Sequence, residues 1–274
     1  MKKRTQKLLK IITLTMMVAS LLVGCTAKKE EEKKVIKVGG TEVSKVTYDA
    51  VEKEYSKLGY KTEFVLFDSN VLSITAANDG QVDISMGQHK KFMETFNKGQ
   101  NENLNMVEPY GYYTGIGLYS EKYKSVEEFP NGAKIAIMND AMNMDIGMRV
   151  LQDAGLIELE KNHTGSYTIT DVTKNPKNIQ IIDMEQAQTV RSLQDMDGAL
   201  VFFTHMFNAK KDPSKYLVRD KQSVDYPISP IVKAENKDKQ WAIDFAKALK
   251  VKSVRDEIDA KFPGVFTHYE YNGK

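Results

Sequence analysis

Two hydrophobic periods alternate along this chain. Residues 35–41 (Val-Ile-Lys-Val-Gly-Gly-Thr) read as a buried strand ending in a Gly-Gly turn, and Val46, Ala50, Val51, Tyr55 and Leu58 then recur at helical spacing up to Gly59. Residues 61–67 alternate as a second strand, 71–78 read as a helix ended by Asp79-Gly80, and 82–86 form a third short strand. A second set follows Pro130-Asn131-Gly132: a strand over 133–138 entering Asn139-Asp140, a natural helix cap, and a helix over 142–151 ended by Ala154-Gly155-Leu156. A strand over 179–182, a helix over 187–193 and a strand over 198–202 complete it. The last helices are expected at 239–249 and, after a break, 251–261. Strand–helix alternation of this kind predicts parallel α/β sheets whose strands end at a crevice, here as two similar lobes facing each other in a clamshell.

The first 34 residues have a different character. Residues 1–10 are cationic, 11–22 are apolar, and Leu22-Val23-Gly24-Cys25 follows. The apolar run is short for a bilayer but suits an export signal. Residues 25–34 are nearly all charged and predict a solvated tether. No later segment has the length of apolar sequence that a membrane span needs, so the body is expected to be soluble and attached only through its N-terminus.

The 274 residues, 41% hydrophobic, are enough for one large or two medium cores. Net charge is +2, but residues 1–24 hold five cations and no acid, so the remaining 34 cations and 37 acids leave the body at −3. A nearly neutral body with interspersed charge argues against a nucleic-acid partner. The single Cys25 rules out an internal disulfide. No His/Cys spacing resembles a zinc site; His163, His205 and His268 read as isolated histidines, and the Met-rich stretch Met138, Met142, Met144 and Met148 as core filler rather than a copper site. Gly39-Gly40 lacks the spacing of a nucleotide loop and no G-x-S-x-G elbow occurs. No metal or other cofactor is expected. Tyr110, Tyr112 and Tyr113, among Gly111 and Gly115, form an aromatic segment for which ring stacking on a ligand and hinge packing are both open.

Leu22-Val23-Gly24-Cys25 resembles the lipobox of bacterial lipoproteins, which implies cleavage before Cys25 and diacylglycerol transfer to its thiol; an ordinary signal anchor with an incidental cysteine is the competing reading. Further on, the run Glu185-Gln186-Ala187-Gln188-Thr189-Val190-Arg191-Ser192-Leu193-Gln194-Asp195, the segment Gly132-Ala133-Lys134-Ile135-Ala136-Ile137-Met138-Asn139-Asp140 with Asn143, and Gln88-His89 followed by Phe96-Asn97-Lys98 are similar to motifs of the NlpA/MetQ lipoproteins, solute-binding proteins of methionine-type ABC importers. The resemblance runs in order from about Lys37 to the C-terminus. It implies a type II periplasmic-binding-protein-like clamshell with a ligand cleft between lobes. Residues 1–24 would be the signal peptide, 25–34 the lipid-anchored tether and 35–274 the binding domain. Lobe 1 would hold about 35–115 plus the C-terminal helices, and lobe 2 about 116–235.

By the same resemblance the protein is an extracytoplasmic, membrane-anchored monomer without catalysis of its own, capturing a small amino-acid-like solute for an ABC permease and its ATPase. A lipoprotein adhesin or scaffold, or an extracytoplasmic enzyme on the same fold, is the alternative. The site implied comprises Thr41, Asn70, Gly87, Gln88, His89, Phe92, Tyr113, Asn139, Asn143, Ile146, Thr204 and His205. Several of these depart from the family's pattern. Ile146 stands where the family has an Arg that clamps the ligand carboxylate, Gly87 where it has a Phe, and Asn70, Thr204 and Ile228 where it has a Tyr and two Asn. A buried carboxylate without a cation costs several kcal/mol by order of magnitude. A ligand lacking a free carboxylate, or held in another pose, is therefore expected, with Gly87 leaving room for a larger one. A shift in register that lets Arg149 supply the cation is the other possibility.

Overall fold

The computed structural model describes residues 35–270. The export signal, the lipobox with Cys25 and the charged tether lie outside the described residues. Among the described residues, no helix is long and apolar enough to cross a membrane.

The chain opens with β1 (Ile36–Gly40), α1 (Glu42–Tyr55), β2 (Thr62–Leu66), α2 (Asn70–Asn78) and β3 (Ile84–Ser85), followed by α3 (Lys90–Gln100) and β4 (Asn105–Met106). Two short strands, β5 (Tyr112–Tyr113) and β6 (Ile116–Tyr119), lead into a second set: β7 (Lys134–Met138), α4 (Ala141–Asp153), the hairpin β8 (Glu158–Leu159) and β9 (Val172–Lys174), β10 (Gln180–Met184), α5 (Thr189–Ser192), β11 (Gly198–Phe202), α6 (Phe203–Asn208) and β12 (Val218–Arg219). The chain then returns through β13 (Ile231–Val232), α7 (Gln240–Ala248), α8 (Lys252–Lys261) and β14 (Thr267–His268).

Both five-stranded sheets are wired alike. The first has the order β2-β1-β3-β13-β4 and the second β10-β7-β11-β6-β12. In each, the second strand of the order pairs in parallel with both neighbours, and the fourth strand runs antiparallel to the third. That fourth strand is the one supplied by a crossing: β6 as the chain enters the second sheet, β13 as it re-enters the first. Parallel strands buried on both faces are nearly continuous apolar runs, and Ile135, Ala136, Ile137 and Met138 of β7 are all fully buried.

Helices cover each sheet on both sides. Ile135 and Ile137 pack with Met148, Val150 and Leu151 of α4, while Ala136 faces the other way, into the cluster holding Val190 and Leu193. In the first lobe α1 packs against α7 and α8. Tyr55, fully buried, stacks on Tyr60 at 4.4 Å, meets Phe245 edge-on and donates its hydroxyl to the Trp241 carbonyl at 2.8 Å.

Five elements differ from the sequence pattern. The first turn of α1, Glu42 onward, has no buried apolar residue to announce it, so the helix starts four residues before the expected 46. The Gly39-Gly40 pair lies inside β1 rather than in a turn. The helix expected over 187–193 is a 3-10 turn followed by the four residues of α5. α3 and α6 carry no expectation at all, because α3 fully buries only Met93 and α6 spans just six residues.

The two crossings meet at Asp220. Its carboxylate, only 3% exposed, accepts the Ile116 N–H at 2.7 Å and the Ser223 N–H at 2.6 Å, and the Asp220 N–H donates back to the Ile116 carbonyl at 2.9 Å. Gly115 makes this approach possible: a Cβ there would sit 2.9 Å from the Phe203 ring and 3.1 Å from Asp220 Oδ2. Removing the carboxylate strands two buried donors, so Asp220→Ala is expected to lower stability by about 2–4 kcal/mol. The measurement is the urea midpoint at unchanged slope. A midpoint equal to that of the parent would show that the clasp contributes nothing.

Candidate functional site

The C-terminal ends of the parallel strands of both sheets open onto one cleft. Thr41 follows β1, Asn70 begins α2 after β2, and Gly87, Gln88 and His89 follow β3. From the second sheet come Asn139 and Asp140 after β7, Glu185 and Gln186 after β10, and Phe202, Thr204 and His205 at the end of β11 and in α6. Tyr112, Thr114 and Ile228 from the crossings form its back, and the cavity so enclosed is about 600 Å³. That is the size and position of a small-molecule site in a doubly wound α/β protein.

On the first-lobe wall, a buried chain of hydrogen bonds fixes the polar groups. Ser73 and Ser85 share a bond of 2.6 Å between their hydroxyls, Ser85 Oγ donates to Gln88 Oε1 at 3.0 Å, and Gln88 Nε2 donates to the Asn70 carbonyl and Asn70 Oδ1 at 3.3 and 3.4 Å. Gln88 is thereby a positioning residue, and the Asn70 amide is turned so that its NH2 remains available. His89 caps α3: its Nδ1 accepts the Phe92 N–H at 3.1 Å, which leaves the ring hydrogen on Nε2. Burial pushes its pKa down to about 4, so the ring is neutral at neutral pH. Thr41, the residue before α1, lines the same wall and makes no side-chain cap bond to that helix.

The second-lobe wall has the opposite character. Asp140 caps α4, its Oδ1 accepting the Asn143 N–H at 3.1 Å and its Oδ2 the Asn143 Nδ2–H at 2.9 Å. A carboxylate accepts only, so Asn143 must turn its NH2 toward Asp140, and its buried Oδ1 is left without a partner. His205 donates to the Gln186 carbonyl and its Nδ1 is likewise buried and unpartnered; desolvation lowers its pKa. Glu185 accepts the Ala187 N–H at 3.2 Å. Among the described residues, no Lys or Arg lines the cavity.

Ten of the twelve expected residues line it; Tyr113 and Ile146 do not. β5 alternates sides, so Tyr112 enters the cleft while Tyr113 packs on Tyr269 at 5.1 Å. Ile146 is 2% exposed in the core of the second lobe. Arg149 does not take up the missing cation's place: it forms a two-pronged pair with Asp145 at 3.0 and 3.2 Å and lies over the Tyr167 ring. Gly87 does not open the room expected of it. Its φ of +100° is a glycine conformation, and a Cβ would sit 2.2 Å from Ser44 Oγ, which already fills that direction.

Ser44, Met142, Glu185, Gln186 and Phe266 line the cleft without having been expected in the site, and Met142 is there rather than in the core assigned to it from the sequence. Glu185 and Gln186 had a signal, since they follow a strand as Asn139-Asp140 does. Phe266 had none, because it arrives from the C-terminal segment. Glu160, His163 and Asp171 also come together outside the cleft, with His163 Nδ1 3.7 and 3.6 Å from the two carboxylates and its ring stacked on Tyr167.

A family model described as NlpA lipoprotein matches residues 36–268. The chain is 32% identical over 251 residues, 89% of its length and 91% of the relative's, to a protein of Yersinia pestis named D-methionine-binding lipoprotein MetQ. Among solved structures, a YaeC-family lipoprotein of Enterococcus faecalis superposes with a TM-score of 0.76 at 26% identity, covering 86% of this chain and all of that one. A nutrient-binding protein of Burkholderia cenocepacia, solved bound to methionine, superposes with a TM-score of 0.71 at 28% identity, again covering 86% of this chain and all of that one.

The half-buried, neutral His89 makes the fold sensitive to acid. Between about pH 4 and the ordinary imidazole value of 6.5, the unfolded chain holds a proton there that the folded chain does not. Stability from this group is therefore full above pH 6.5 and is lost as pH falls toward 4, by about 3 kcal/mol at most. His89→Asn, which keeps a capping oxygen, is expected to flatten the urea-midpoint profile in that window. Parallel profiles for the parent and variant would contradict this.

Proposed function

We propose, from the premise that the chain belongs to the NlpA lipoprotein family, that it is the membrane-anchored, extracytoplasmic solute-binding component of an ABC importer. The observation that carries this reading is the cleft itself: two like-wired sheets, joined by paired crossings, present their strand ends to one cavity of about 600 Å³. Hinge closure around such a cavity removes a small solute from water, and binding favours the closed state through contacts the open state lacks. The relatives named for D-methionine binding and the neighbour solved with methionine support an amino-acid-sized solute.

The anchoring half of the proposal rests on Cys25 following Leu22-Val23-Gly24. Diacylation of that thiol supplies two chains, enough for stable attachment where one is marginal. A permease and an ATPase receive the solute from the cleft, and the protein acts as a monomer. Its contribution is capture and delivery, with no bond made or broken.

Native mass spectrometry of the protein from its own cells is expected to show one small-molecule adduct, and deletion of the gene is expected to abolish high-affinity uptake of that compound. Cys25→Ser is expected to move the protein from the detergent phase to the aqueous phase on phase separation. Unchanged uptake in the deletion strain would overturn the importer role, and a detergent-phase C25S protein would overturn the anchor.

A further inference from the structure

The two walls of the cleft are of opposite hydrogen-bonding character. On the first-lobe wall the available groups are donors: the Asn70 amide NH2 and the His89 Nε2–H. On the second-lobe wall they are acceptors. Asp140 and Glu185 are carboxylates with lone pairs beyond those given to Asn143 and Ala187. Asn143, 6% exposed, holds a buried Oδ1 without a partner, oriented by Asp140, and His205 Nδ1 is a second orphan acceptor. Among the described residues, no Lys or Arg lines the cavity to offset this excess of negative and accepting groups.

We infer that the cleft takes a small solute with a protonated amine, seated on the second-lobe wall against Asp140, Asn143 and Glu185. An amine supplies what these groups lack: up to three N–H donors and a positive charge. The solute's acceptor end then meets the donors of the first-lobe wall, where the neutral Asn70 amide and His89 imidazole serve a carbonyl as well as a carboxylate. The amine is thus the group on which affinity depends, and the carboxylate is dispensable. This rests on the solute-binding reading above and adds the chemical class of the solute to it.

Calorimetric titration of the full-length chain in mild detergent tests this with sterically matched probes. For each of the methionine, leucine and phenylalanine skeletons, the amino acid, its C-terminal amide and its 2-hydroxy acid analogue are compared. On a skeleton that binds, replacing the amine by hydroxyl is expected to weaken binding about 30-fold or more, the scale of a lost charge-assisted contact. Amidation is expected to change it by no more than about threefold. Glu185→Gln is expected to weaken the amino forms about 10-fold and leave the hydroxy forms unchanged. Equal binding of hydroxy and amino forms would overturn the inference while leaving a solute-binding protein in place. Loss on amidation with tolerance of the hydroxyl would also overturn it, as would silence from every amine. The importer role is decided separately, by the uptake measurement.

Discussion

Everything in this molecule that faces a solute depends on how the chain passes between its sheets. The two crossings are drawn together at one buried carboxylate, Asp220, which holds the Ile116 and Ser223 N–H groups, and at Gly115, where a side chain would collide with the Phe203 ring and Asp220 itself. Because each crossing continues directly into the antiparallel strand of the sheet it enters, the lobes are joined through corresponding strands, the fourth of each sheet. Joining them there is what turns both sets of parallel strand ends toward a shared space.

The cleft's electrostatics follow from local capping chemistry as much as from charge. His89 and Asp140 each hold a leading N–H of a helix, and in doing so each is fixed in orientation. His89 is left as a neutral donor. Asp140 turns the Asn143 amide and strands its oxygen. Residues that look structural in isolation thus determine what the neighbouring groups can offer a guest. Arg149 illustrates the converse: although one turn from Ile146 on α4, it is engaged with Asp145 and Tyr167 and contributes nothing to the cavity.

Much of this was legible in the sequence, for identifiable reasons. β1, β7 and β11 are apolar runs bounded by turn residues, and the polar groups just beyond them, Thr41, Asn139 and Thr204, fall in the cleft because parallel strands end there. Other features required three dimensions. Whether Tyr112 or Tyr113 faces the cleft depends on the register of a two-residue strand, and the pattern of adjacent tyrosines gives no preference. The space beside Gly87 is filled by Ser44 of α1, more than 40 positions away in sequence, so the apparent vacancy existed only in the alignment of residue types. Ile146 is a core residue one helical turn behind Asn143, and only packing shows that it is walled off.

The central claim, that two lobes close on one guest, is tested most directly by the distance across the mouth of the cleft. Nitroxide labels at Leu72, half-exposed beside Asn70, and at Gln188, exposed beyond Glu185, flank the opening without lining it. Pulsed electron–electron resonance is recorded first on protein stripped of its solute and then after that solute is returned. The account predicts that the distance distribution moves shorter and narrows when the solute returns. An identical distribution in both states would contradict it.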